Sequence, residues 1–156
     1  MKYFTENNIW QLLRLSISFI MLWAFFDKLF GLGFATASDK SWLSGVSPTS
    51  GFLKFAPDGA FAPIFNSLSG NSIVDILFMS GLFLVGICLL FGIGVKIASF
   101  SGALMMLLIY LSLFPPENNP LIDEHIIYIL IFIGLSIRVK TQKFAYGKKW
   151  AQTSFV

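Results

Sequence analysis

Hydrophobic residues fill 56% of the 156 positions and charged residues only 12%, against roughly 45–50% and 25% in soluble domains, so the chain has too little polar surface for an ordinary water-soluble protein. The net charge of +3 traces to a basic tail (Arg138, Lys140, Lys143, Lys148, Lys149) suited to membrane topology and anionic lipid, so no nucleic-acid partner is implied. One cysteine, Cys88, excludes a disulfide framework or a CxxC relay within the chain.

A spanning helix needs about 20 largely apolar residues. Four stretches are expected to cross a bilayer: residues 9–30, 73–95, 97–114 and 121–139. The first is interrupted by Arg14 and closed by Asp27 and Lys28. It is expected to remain in the mature chain, because a signal peptide has a short uncharged core and a nearby cleavage site, and "ATA" at 35–37 lies well beyond these charges. Arg14 is expected to snorkel towards the headgroups, with paired use between helices as the other reading. Trp23 and Asp27 are four residues apart and therefore share a helix stripe. A short buried carboxylate at position 27 must pair or protonate.

The connection from about 31 to 72 is too long for a turn and is expected to carry structure or function. It spaces Trp42, Phe52, Phe55, Phe61 and Phe65 along its length, which suits either an interfacial belt or a lid folded over the helices. Asp75 then reads as a carboxylate at the start of the second span. Cys88 reads as a small packing residue, and "FGIGVK" as a tight turn before the third span. Gly81, Gly86, Ser99 and Gly102 permit close helix contact, within or between chains.

The fourth run opens with "PLIDEH" and reaches a full span only by including its boundary charges. Asp123 is placed to cap the helix start. Asp123, Glu124 and His125 point to different sides of a regular helix, so no metal site is expected from them. An even number of spans with a basic tail predicts a multi-pass plasma-membrane protein with both termini cytoplasmic and the first and third connections outside. One histidine excludes a haem held by two histidines of the chain, and no haem, flavin, iron–sulfur or Walker motif is found. No repeat or second domain is evident, so residues 1–156 read as a single all-α membrane domain.

The runs "LWAFFDKLFGLGFAT", "WLSGVSPTSGFL", "FNSLSGNSIVDILFMSGLFLVGICLLFGIGVKIAS" and "NPLIDEHIIYILIFIGL" resemble the DoxX family over about residues 12–135. That family includes relatives described as the small DoxD subunit of thiosulfate:quinone oxidoreductase. The resemblance implies a transmembrane four-helix bundle with a long structured outer loop. It also implies a membrane subunit of a quinone-linked redox system, oxidising thiosulfate or a similar sulfur donor, with quinone as cofactor and a second redox subunit as partner.

The two charged motifs, "FFDK" and "IDEH", fall at the outer ends of their helices in this topology and are expected to meet. The expected catalytic set is Asp27, Glu124 and His125, with Asp27 raising the His125 pKa and fixing its orientation. Trp23, Lys28, Tyr128 and Trp42 are the expected quinone or substrate contacts, with Lys28 attracting an anionic donor. The alternative is a non-catalytic binding or assembly module that recognises a lipid, a quinone or a partner protein in the same outer cavity.

Overall fold

The structure, a computed structural model, describes residues 5–57, 59–116, 119 and 121–138. The tail lysines 140, 143, 148 and 149 lie outside the described residues. The described chain is helical. Helix α1 runs Glu6–Phe30, two short helices follow at Ser50–Phe55 (α2) and Ala62–Ser67 (α3), and α4 (Ser72–Phe91), α5 (Val95–Ser112) and α6 (Glu124–Ile137) complete it. Three helices, α1, α4 and α5, are long and apolar enough to cross a membrane. Helix α6 is apolar but has 14 residues, about 21 Å of helix against a hydrocarbon core of about 30 Å.

Each long helix ends where its sequence changes character. Helix α1 stops at Gly31, whose φ of 68° is the left-handed turn that only glycine adopts readily. Helix α4 is capped by Asn71, whose side chain accepts from the Ile73 N–H. Between α4 and α5, Gly92 and Gly94 both take positive φ (66° and 56°), so "FGIGVK" reverses the chain in a few residues.

Helix α1 packs against α4, α4 against α5, and α5 against α6. Successive long helices therefore run in opposite directions. The core is set by inward positions repeating every three or four residues: Met79, Leu82, Gly86 and Leu89 on α4, and Arg14, Ile17, Ser18 and Met21 on α1. Val95, Ala98 and Met106 of α5 join Phe132 and Leu135 of α6 in the same cluster. Close approach is permitted by small residues. A Cβ at Gly86 would lie 2.7 Å from Leu22 Cγ, and one at Gly102 would lie 2.4 Å from the Phe132 ring. The faces turned away from this core stay apolar, with Phe19, Leu77, Phe100 and Leu130 all exposed, as lipid-facing surfaces are.

Arg14 does not snorkel. It is buried at 2% exposure, and its Nη1 donates to Leu89 O at 2.6 Å, while Ser18 Oγ one turn later donates to Gly86 O at 2.8 Å. Both carbonyls belong to the last two turns of α4, and a carbonyl oxygen has a second lone pair that can accept from a side chain. The guanidinium thus stays between helices because α4 presents acceptors there. At the same end Trp10 packs against Gly134, and Glu6 pairs with Arg138, so α1 and α6 meet where the described chain starts and finishes, called the terminal end. The opposite end carries the long connection and is called the loop end below.

Candidate functional site at the loop end

Three aspartates organise the loop end: Asp27 and Asp75 accept hydrogen bonds from the long connection, and Asp123 accepts them from the first turn of α6. Asp27, 2% exposed in the last turn of α1, accepts from the Phe34 and Ala35 N–H groups at 3.2 and 3.0 Å. A carboxylate near a helix C-terminus opposes the helix dipole, so these two amide donors, with Lys28 on the next position, are what make its burial tolerable. Trp23 packs edge-on against Phe34 at 4.9 Å, so the stripe expected for Trp23 and Asp27 exists and grips one loop residue from both sides.

Asp75 does the same for the middle of the connection. Its Oδ1 accepts from Thr49 Oγ1 at 2.6 Å, Ser47 Oγ at 2.8 Å and the Thr49 N–H at 3.3 Å. It is therefore a loop anchor as well as a carboxylate at a helix start. Further along, the backbone at Gly59 lies so near Phe114 that an added Cβ would sit 1.8 Å from its carbonyl oxygen. The connection thus reaches across to the chain that leaves α5. Its aromatics divide: Trp42 packs on the core cluster, while Phe52, Phe55 and Phe61 remain exposed.

Asp123 caps α6, with Oδ1 accepting from the His125 and Ile126 N–H groups at 3.0 and 3.3 Å. Its second oxygen, Oδ2, lies 2.8 Å from His125 Nδ1, and both side chains are mostly buried. An ionised carboxylate only accepts, so with Asp123 ionised this contact is Nδ1–H donating to Oδ2, which leaves Nε2 as the ring's other nitrogen. The segment leading here is pinned by Tyr110, whose buried hydroxyl donates to Leu121 O at 2.7 Å, and by Asn119 Oδ1, which accepts from the Leu121 and Ile122 N–H groups.

The expected meeting of Asp27 with His125 is not seen. Among the described residues no ion pair or hydrogen bond joins them, since Asp27 is committed to residues 34 and 35 and His125 to Asp123. Close contact between α1 and α6 lies instead at the terminal end, through Trp10 and Glu6. Glu124 is exposed, Tyr128 is half-buried against the core cluster, and Lys28 is half-buried beside Asp27. Asp123, Glu124 and His125 do bring their ligand atoms within 4.8 Å of one another. Regular helix geometry forbids this, but Asp123 is the cap, with φ −124° and ψ −173°, and its side chain folds back over the first turn.

The sequence offered signals for some of what it did not assign. A tyrosine hydroxyl in an apolar helix must find an acceptor, which singles out Tyr110. The hydroxyl-rich "SPTS" supplied the donors that Asp75 collects, but nothing local connects the two. No family model, curated protein or solved structure matches this chain.

Proposed function

We propose that this chain is a multi-pass plasma-membrane protein of the four-helix DoxX type, with both termini cytoplasmic, that binds the polar head of a quinone at its loop end as the membrane subunit of a quinone-linked redox system. The observation that carries this reading is the Asp123–His125 pair. It fixes the imidazole ring so that Nε2 of the neutral ring accepts from a quinol hydroxyl, and Nε2–H of the protonated ring donates to a quinone oxygen, a proton moving between them as the headgroup changes redox state. Apolar surroundings for a quinone tail are provided by exposed residues such as Ile122 and Ile127 beside the pair. In this role thiosulfate or a similar sulfur donor supplies electrons from the outer face, with or without a second subunit.

A second reading, a binding or assembly module without turnover, is favoured by the use of Asp27 and Asp75. Both are occupied in holding the connection and leave Asp123, Glu124 and His125 as the polar groups for a ligand. Titration of the detergent-purified protein with a short-tailed quinone, followed by tryptophan fluorescence, tests the binding step common to both. His125→Ala is expected to weaken binding roughly tenfold, the loss of one charge-assisted contact. Unchanged affinity in His125→Ala and Asp123→Asn would remove the proposed site. Thiosulfate-dependent quinone reduction separates the readings: turnover supports the subunit of a redox system, and binding without turnover supports the module.

A further inference from the structure

A cavity of about 400 Å³ opens between α5 and α6 at the terminal end, lined by Lys96, Ser99, Phe100, Phe132 and Ser136 among others. Its polar groups are unusual for a lipid-facing groove. Ser99 is 1% exposed, and its Oγ has no hydrogen-bond partner in the described structure, although a helical serine ordinarily bonds a carbonyl one turn back. Ser136 shows the ordinary arrangement, donating to Ile133 O at 2.7 Å. Lys96 stands in the first turn of α5, and no side chain caps that helix start. A cation beside uncapped amides at a helix N-terminus attracts an anion. The remaining walls are apolar, and Ile97 and Phe100 continue outward as exposed surface at 65% and 72%.

We infer that this cavity holds an anionic phospholipid, its phosphate at Lys96 and the start of α5, the glycerol region at Ser99, and an acyl chain along Phe100 and Phe132. The Ser99 hydroxyl then gains an ester or phosphate oxygen as acceptor, which removes the cost of a buried unpaired donor. A free phosphate would leave the aromatic walls facing water, so the lipid is the occupant that matches both halves of the site. The cavity admits the head and upper chain, and the rest of the lipid lies on the exposed face of α5. The site is at the opposite end of the helices from Asp123 and His125, so its test is independent of the quinone reading.

Native mass spectrometry of the protein in neutral detergent, incubated with palmitoyl-oleoyl phosphatidylglycerol or with phosphatidylcholine, reads the occupancy directly. Phosphatidylglycerol is expected to be retained preferentially. Lys96→Gln, at an exposed position, should weaken its retention about fivefold, the worth of one lysine near an anionic headgroup. Ala103→Leu, which fills the cavity, should reduce retention of both lipids. Equal retention of the two lipids, unchanged retention in Lys96→Gln, or full displacement by millimolar inorganic phosphate would overturn the assignment.

Discussion

Thr49 Oγ1 donates to Asp75 Oδ1 at 2.6 Å, joining the middle of the long connection to the first turn of α4 across 26 residues of sequence. Because the same oxygen also receives Ser47 Oγ and the Thr49 N–H, removing it strands several donors at once. Asp75→Ala is therefore expected to cost about 2–4 kcal/mol, while Asp75→Asn, which keeps one acceptor oxygen, costs about 1–2 kcal/mol. Thermal unfolding in detergent gives the size of each loss. Limited proteolysis should show new cleavage around residues 47–55 in Asp75→Ala, and intact resistance there would refute the anchor.

Asp27 is expected to behave as a structural carboxylate. An asparagine presents one acceptor where two backbone amides now need one each, so Asp27→Asn should lose about 1–3 kcal/mol. Protease access should rise in residues 31–40, with quinone affinity in the folded fraction unchanged. A loss of quinone binding without a loss of stability would restore Asp27 to the ligand site.

The Arg14 contribution divides into a hydrogen-bonded head and a packed stem. Leu89 O also receives the Gly92 N–H at 3.3 Å, so it keeps a donor when the guanidinium is removed. Arg14→Met, which retains most of the volume, should then cost only about 1 kcal/mol, in line with hydrogen bonds inside membranes. Arg14→Ala adds a cavity between α1 and α4 and should cost about 3 kcal/mol. The two melting temperatures, measured side by side, give the division; equal losses would place all of the contribution in the head.

Gly102 and Phe132 pack closely between α5 and α6: a Cβ on Gly102 would sit 2.4 Å from the ring of the fully buried Phe132. Gly102→Ala should destabilise by about 1–3 kcal/mol through overpacking. Combining it with Phe132→Leu should cost less than the two single changes added together, because the smaller side chain admits the new methyl. Strict additivity in a thermal-denaturation cycle would show that the two residues do not press on one another.

Residue order alone determined that this is an α-helical membrane protein, because length and apolar content of a run are local properties. The C-terminal end of α1, the start of α4, the glycine turn at 92–94 and the Asp123 cap were legible for the same reason: each is decided by residues within a few positions, although the second span, expected to reach 95, stops at Phe91. The extent of the fourth helix was not, since "PLIDEH" is apolar enough to extend a helix, whereas the structure starts α6 only after the Asp123 cap. Partner choice was decided by tertiary structure. Arg14 finds an acceptor 75 residues away, Asp75 finds Thr49, and Asp27 turns to residues 34 and 35 instead of His125. A buried polar group takes whichever donor or acceptor packing brings within about 3 Å, and only the folded arrangement of the helices specifies which group that is.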